Sequence, residues 1–158
     1  MLKWDIRTAT LEDWPSLKEC WTSYKAGPSG HEIEGGPEAL RGFFQASLNF
    51  PQVGFLVLVE EETVRGFAIL TETSATMPTP CGTSVRMVLH GFVRGIHIQP
   101  GVGLKHSLAM EQAICQWGRA KGYPFLTGHC SEGYLSRAER PYTRLGWYKT
   151  HTVVLKNL

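Results

Sequence analysis

The sequence lacks long hydrophobic runs and blocks of charge of one sign. No apolar stretch approaches the roughly 18 residues that a membrane-spanning helix requires, and residues 1–6 contain no apolar core of a signal peptide. The 16 basic and 14 acidic residues are spread along the chain and give a formal charge of +2. We therefore expect a cytoplasmic protein that binds neither membranes nor, without a basic stripe, nucleic acid.

The cysteine pattern argues against a disulfide-stabilised protein and against a zinc protein. No Cys-x-x-Cys pair occurs, and a chain of 158 residues can bury a core without a disulfide framework. We expect Cys20, Cys81, Cys115 and Cys130 to be reduced thiols. His129 beside Cys130 is the closest His/Cys pair, so no metal site is expected.

Apolar periodicity and turn residues predict a mixed α/β chain. Thr10 is expected to cap a first helix, and a second helix begins at Pro37. Residues 53–59 and 64–71 are β-rich runs around a polar turn, which is typical of an antiparallel hairpin. Residues 73–84 contain two prolines and a glycine, so we expect a loop there.

A long strand is predicted over residues 85–98. Gly91 and Gly95 interrupt it, and glycine within a strand often marks a bulge. An amphipathic helix follows over residues 104–121. The apolar stripe expected to face the core consists of Leu104, Leu108, Met110, Ala113, Ile114, Trp117 and Ala120. A short strand, a capping box at Ser136 and a closing strand over residues 147–155 complete the predicted order.

Between the long strand and this helix lies a glycine turn, Gly101-Val102-Gly103. The first N–H groups of a helix have no partner within the helix, and the helix dipole favours negative charge at the same place. A glycine turn between a strand and a helix start can therefore receive a phosphate group.

Three segments of the last third resemble the GCN5-related N-acetyltransferase superfamily. Ile98-Gln99-Pro100 is similar to the family's hydrophobic-x-Pro at the end of its fourth strand, and the glycine turn stands where the family has its acyl-CoA pyrophosphate loop. Ala138, Tyr142 and Gly146-Trp147 resemble the family's Ala-x-x-x-Tyr-x-x-x-Gly-Phe ending. The resemblance implies a single domain over residues 1–158, with a mixed, largely antiparallel central sheet flanked by helices.

The resemblance implies an acyl-CoA as cofactor, in the first place acetyl-CoA. Backbone N–H groups of the glycine turn would hold its pyrophosphate, and Lys105 would add a positive charge. The family's splayed fourth and fifth strands would let the pantetheine arm pair with the backbone near Ile96 and Ile98. The residues expected to bind the cofactor are Ile96, Ile98, Gly101, Val102, Gly103, Leu104 and Lys105.

The implied reaction is direct acyl transfer to an amine of a small molecule or peptide. A phenol can protonate the leaving thiolate of CoA, and the resemblance gives Tyr142 that role. A base must deprotonate the amine; the candidates are His97, His90 and Glu72, with a water relay as the alternative. His97 is preferred because it is nearest the cofactor loop. Strand alternation without a bulge would place His90 and His97 on opposite faces.

A second interpretation stays open, in which the chain is a catalytically degenerate protein of this fold with a binding or structural role. Pro100 and Gly101 are adjacent, so the loop is shorter than the family's usual Gln/Arg-x-x-Gly-x-Gly/Ala, which favours this alternative. The loops over residues 27–36 and 73–84 are expected to select the acceptor. A homodimer is possible.

Overall fold

The computed structural model of the chain describes residues 3–26, 36–78, 82 and 84–128. In these ranges the elements are β1 (Trp4–Thr8), a 3-10 turn (Leu11–Asp13), α1 (Trp14–Ala26), α2 (Pro37–Asn49), β2 (Val53–Glu60), β3 (Thr63–Pro78), β4 (Val85–Ile98), α3 (Leu104–Ala120) and β5 (Leu126–Gly128). The predicted capping box at Ser136 and the predicted closing strand lie outside the described residues.

The five strands form one sheet in the order β1-β2-β3-β4-β5. Each of the first four strands is antiparallel to its neighbour, and β5 runs parallel to β4. The parallel pair is connected through α3, which crosses one face of the sheet. The prediction of a mixed, largely antiparallel sheet flanked by helices is therefore confirmed.

Side chains alternate along the strands, so the sheet has two apolar faces, each covered by different helices. The first face packs against α1 and α2 through a core that includes Leu17, Trp21, Tyr24, Leu40, Phe44, Phe55, Phe67 and Ile69. The second packs against α3 through Leu56, Leu58, Ala68, Leu70, Val93, Met110 and Ile114. We call these two surfaces the α1/α2 face and the α3 face.

The prediction of a loop over residues 73–84 is wrong for its first half. β3 continues to Pro78, and each residue from Thr73 onward is paired with a residue of β4, ending with Pro78 opposite Val85. Pro78 lies where β3 is paired with β4 and, among the described residues, no longer with β2, and proline is tolerated on such an edge because its missing N–H can face away from the partner. The pairing partner is distant in sequence, so the local composition could not indicate it.

The other helix and hairpin predictions are confirmed with small shifts. Thr10 stands before the 3-10 turn that leads into α1, and α2 begins at Pro37 after the N-cap Gly36. β2 and β3 form the predicted hairpin, with the two-residue turn Glu61-Glu62.

The predicted apolar stripe of α3 is wrong at its first turns and at its last residue, Ala120, which is exposed. Leu104 is 72% exposed and Leu108 37% exposed, because the buried stripe runs through His106, Met110, Ile114 and Gly118 at a spacing of four residues. This stripe lies two residues out of phase with the two leucines. His106 and Gly118 are not hydrophobic residues, so a pattern of apolar residues does not reveal their burial.

Cys20 and Cys115 are free thiols, as predicted, whereas Cys81 and Cys130 lie outside the described residues. Burial raises the pKa of Cys20 to about 12, and burial with a hydrogen bond to Glu111 raises that of Cys115 to about 11. Both thiols are therefore protonated and unreactive near neutral pH. Within the described ranges, no group of three or more His, Cys, Asp or Glu residues could hold a metal ion, and no helix has the length and apolarity to cross a membrane.

Candidate functional site

The glycine turn reverses the chain between the end of β4 and the start of α3. Gly101 has φ +88°, a conformation that residues with a side chain rarely adopt, and the Val102 N–H donates to the carbonyl of Gln99 at 3.3 Å. The side chain of Val102 packs into the α3-face core, which fixes the turn against the body of the protein. Gly103 then serves as the N-cap of α3.

The first turn of α3 presents backbone donors to solvent. Gly103 has no side chain that could cap the helix, and Gly103, Leu104 and Lys105 are all exposed. The amide groups at the start of α3 therefore lie at the surface beside the positive end of the helix dipole. The Lys105 ammonium lies 5.8 Å from the ring centroid of Trp4, which positions this basic side chain beside the turn.

His106 holds the glycine turn in place, and the sequence interpretation missed it. Its backbone N–H donates to the Gly103 carbonyl at 3.0 Å, and its ring Nδ1 lies 3.3 Å from the same oxygen. Only 5% of the residue is exposed, and its ring packs edge-on against Trp4 with centroids 4.6 Å apart. Its place three residues after the capping glycine was the one available signal.

β4 has a free edge directly before the glycine turn. β5 pairs with Gly91, Phe92 and Val93, and among the described residues β4 has no strand partner on this side from Arg94 to Ile98. The side chains of Ile96 and Ile98 are half-buried against the α3 side. What these two residues offer at the edge is therefore their backbone N–H and C=O groups.

A β-bulge in β4 starts at the same point. Ile69 is paired with Gly95 and Leu70 with Val93, which leaves Arg94 as one extra residue. The extra residue reverses the alternation of side chains along the rest of the strand. As a result His90 and His97 both face the α1/α2 side, whereas an unbulged strand would separate them.

His97 lies in the aromatic part of the α1/α2-face core. Its Nε2 lies 3.2 Å from Oγ of Ser23, and its ring contacts those of Tyr24 and Phe67. Burial lowers the pKa of His97 from 6.5 to about 4. At neutral pH the imidazole is uncharged and able to accept a proton, but it is a much weaker base than an ordinary histidine.

His90 is a buried, hydrogen-bonded side chain on the same face. It is 4% exposed, its Nε2 lies 3.0 Å from Oγ1 of Thr127 in β5, and its ring stacks on Phe125 at 4.6 Å. His90 thus joins β4 to β5 just before the two strands stop pairing. A role in proton transfer requires it to exchange the contact with Thr127 for a reactant.

Glu72, the third candidate base, faces the other side of the sheet. It accepts a hydrogen bond of 2.7 Å from the Tyr123 hydroxyl, beyond the C-terminal end of α3. Burial and this hydrogen bond raise the pKa of Tyr123 to about 12. The structure therefore brings His90 and His97 to one face and places Glu72 on the other. Tyr142, with Ala138, Gly146 and Trp147 of the same motif, lies outside the described residues.

No protein-family model matches the sequence, and no curated protein matches it either. Solved structures do match over almost the whole chain. An aminoglycoside N-acetyltransferase, AAC(6')-Iy, in complex with CoA is 17% identical, with a TM-score of 0.73 over 100% of this chain and 96% of that chain. A predicted acetyltransferase from Clostridium acetobutylicum with acetyl-CoA is 15% identical, with a TM-score of 0.70 over 98% and 96%.

An acetyltransferase from Trypanosoma brucei is 17% identical, with a TM-score of 0.67 over 99% of this chain and 100% of that chain. These identities are too low to transfer an activity, but the coverage and TM-scores agree in overall architecture. The chain thus has the fold of the GCN5-related N-acetyltransferases, as the resemblance predicted.

Proposed function

We propose that this chain is an acyl-CoA-dependent N-acyltransferase that uses acetyl-CoA and transfers the acyl group directly to an amine. The observation that carries the proposal is that three features follow one another along the β4 edge of the sheet. Among the described residues, β4 loses its partner β5 after Val93, continues as a free strand edge to Ile98, and leads within five residues into the uncapped start of α3. An extended arm that ends in phosphates is complementary to this arrangement.

The residues at the turn fit such a ligand. A Cβ added to Gly101 would contact nothing within 4 Å, and one added to Gly103 would contact only Nδ1 of His106, at 3.8 Å. The described part of the chain therefore leaves room for a ligand beside these two glycines. The amides of Gly103, Leu104 and Lys105 would hold the pyrophosphate, and the Lys105 ammonium would add charge. The backbone of Ile96 and Ile98 would hold the pantetheine arm.

When bound, acyl-CoA supplies an activated thioester, so the protein needs to position the amine and to move protons. Tyr142 is proposed as the acid that protonates the thiolate of CoA. The base is proposed among His97, His90 and Glu72, with His97 preferred and a water relay as the alternative. A base with a pKa near 4 gives activity an acid limb near pH 4, so a limb there that disappears in His97→Gln would support His97.

The first experiment is calorimetric titration of the protein with acetyl-CoA and, separately, with CoA. We expect a dissociation constant in the micromolar range. Lys105→Glu should weaken binding about tenfold, because it replaces a cation beside the phosphates with an anion. Lys121→Glu, which makes the same charge change at the C-terminal end of the same helix, should leave the affinity unchanged.

Binding of acetyl-CoA followed by acetylation of an amine in a mass-spectrometric screen would support the enzyme. Binding of CoA without turnover of any amine would favour the second function, a catalytically degenerate binding protein; the short connection from Pro100 to Gly101 is the feature that favours it. No binding at millimolar acetyl-CoA would contradict both the cofactor and the enzyme.

A further inference from the structure

We infer that Arg94 binds a carboxylate of the acceptor, so that the amine acetylated by this protein belongs to an amino acid or a peptide with a nearby carboxylate. The inference rests on the proposed function and names the substrate class of the same site. It is carried by the position of Arg94 in the sheet, by the groups around its guanidinium and by the absence of an acidic partner for it among the described residues.

The β-bulge determines where Arg94 points. Val93 belongs to the α3-face core, and the residue after it projects to the opposite side, toward α2. Arg94 is also the first residue of β4 after its pairing with β5 ends. The guanidinium therefore stands at the point where the strands part, two residues before Ile96, whose backbone is proposed to hold the pantetheine arm.

Two aromatic rings flank the guanidinium. Its Cζ lies 5.5 Å from the ring centroid of Phe43 in α2 and 5.7 Å from that of Phe92 in β4. Such cation–π contacts hold the side chain in one place without using its N–H donors. The side chain is nonetheless exposed, so its donors remain accessible to a ligand.

The positive charge of Arg94 is not neutralised within the described part of the chain. The ion pairs found there join Arg7 to Asp13 and Arg65 to Glu60, and neither includes Arg94. The nearest candidate bases on the same face, His90 and His97, carry no negative charge. A guanidinium that is positioned but unpaired is a site for an anion, and its fork of donors matches the two oxygens of a carboxylate.

The same charge disfavours a different class of acceptor. An aminoglycoside carries several ammonium groups and no carboxylate, so it would place cations beside Arg94 and give its donors no acceptor. The rings of Phe43 and Phe92 would pack against an apolar part of an amino acid or peptide. The expected acceptor is therefore a monoamine with a carboxylate rather than a polyamine.

The test compares acceptors with and without the carboxylate and follows how their ratio changes between variants, because the pKa of the amine also differs between phenylalanine and its carboxamide. L-phenylalanine, its carboxamide and phenethylamine form one set, and the dipeptide Gly-Phe with its carboxamide forms a second. Each is offered with acetyl-CoA to the wild-type protein and to Arg94→Gln, and kcat/KM is measured for each. Arg86→Gln is the control, because Arg86 is an exposed arginine of the same strand and the same sheet face, about 27 Å away at the usual rise per residue.

We expect wild type and Arg86→Gln to prefer the carboxylate over the carboxamide by about tenfold or more, and Arg94→Gln to lose the preference by losing activity on the carboxylate alone. A larger preference in the phenylalanine set identifies the acceptor as an amino acid, and a larger preference in the Gly-Phe set identifies it as a peptide. Equal rates on both forms in the wild type, a preference that survives Arg94→Gln, or turnover of no carboxylate-bearing amine would each overturn the inference. Failure of the proposed function is recognised separately: either acetyl-CoA does not bind in the calorimeter, or it binds and the screen finds no acetylated amine of any class, with or without a carboxylate.

Discussion

Arg7 of β1 donates two hydrogen bonds, of 2.7 and 2.8 Å, to the two carboxylate oxygens of Asp13. Asp13 also accepts the backbone N–H of Thr10 at 2.7 Å and the Thr10 hydroxyl at 3.1 Å. Asp13 is 7% exposed. One carboxylate thus joins β1 to the turn that begins α1, because it accepts hydrogen bonds from Arg7 in the strand and from Thr10 before the turn.

Asp13→Asn should destabilise the protein by about 2 kcal/mol, because it removes a charge-assisted acceptor from Arg7 and Thr10 at a buried position. Urea denaturation at pH 7 measures this. Asp5→Asn, which removes the same charge from an exposed position of β1, should change the free energy of unfolding by less than about 0.5 kcal/mol. Equal effects of the two substitutions would contradict a specific role for Asp13.

The contribution of Asp13 to stability depends on pH. Burial raises the pKa of its carboxyl, but the hydrogen bonds from Arg7 and Thr10 outweigh burial, and the pKa lies below the ordinary 3.8. The unfolded chain therefore takes up this proton first as pH falls. The stability from Asp13 is fully present above pH 3.8 and is lost as pH falls through the lower pKa of the folded state. Denaturation between pH 5 and 2 should show this loss in wild type and not in Asp13→Asn.

The free energy of unfolding should decrease as pH falls from 6.5 to 4 because of His97. Its pKa is about 4 in the folded protein and 6.5 in the unfolded chain, so the unfolded chain binds a proton first as pH falls. Stability therefore rises with pH across this window. His97→Gln, which keeps a polar side chain near Ser23, should flatten the dependence in urea titrations. Ser23→Ala keeps the imidazole and should retain it; an unchanged slope in His97→Gln would contradict the assignment.

Substitutions in the turn between β2 and β3 should stabilise the protein. Glu61 and Glu62 have φ of 48° and 67°, which is the backbone of a type I′ hairpin turn that favours Asn-Gly. The double substitution Glu61→Asn with Glu62→Gly should raise the free energy of unfolding by about 1 kcal/mol. Glu61→Gln with Glu62→Gln removes the same charges with little relief of the backbone, so a comparable gain there would show that charge, not conformation, is responsible.

Two glycines should respond to alanine with opposite signs. A Cβ at Gly54 in β2 would lie 2.6 Å from Nε1 of Trp117, so Gly54→Ala must displace the Trp117 indole from its packed position and should destabilise by about 2 kcal/mol. A Cβ at Gly42 in α2 meets nothing within 4 Å, and Gly42→Ala should stabilise by about 0.5 to 1 kcal/mol. Thermal unfolding of the two variants compares them; a loss of stability in both would contradict the packing argument.

Tyr142→Phe tests the acid proposed from the family resemblance. Removal of the hydroxyl should lower kcat strongly while the calorimetric affinity for acetyl-CoA stays nearly unchanged, because the phenol would act on the leaving thiolate only. Unchanged turnover would remove Tyr142 from this role.

Elements with a local signal could be predicted from the sequence. Pro37 at the start of α2, the glycine turn before α3 and the polar turn between β2 and β3 each act through neighbouring residues. Gly91 and Gly95 likewise indicated a bulge, but not the residue that forms it. The extra residue is Arg94, which depends on the register with β3.

Features that depend on distant partners could not be predicted. The strand from Thr73 to Pro78 exists because residues of β4 pair with it, and the burial of His106 depends on Trp4 at the other end of the chain. Leu104 and Leu108 satisfy a helical spacing yet lie away from the core. The domain span of residues 1–158 and the role of Tyr142 stay predictions, because residues 129–158 lie outside the described part.

The extra residue in β4 has a consequence for aligning this chain with its structural neighbours, which share less than a fifth of its residues. An alignment that shifts β4 by one residue between Arg94 and Ile98 exchanges the two faces for every position that it shifts. His97 would then be matched to residues that face α3, and Ile96 and Ile98 to residues that face α1. Equivalent positions in this strand have to be assigned by superposing the paired register of β3, not by sequence identity.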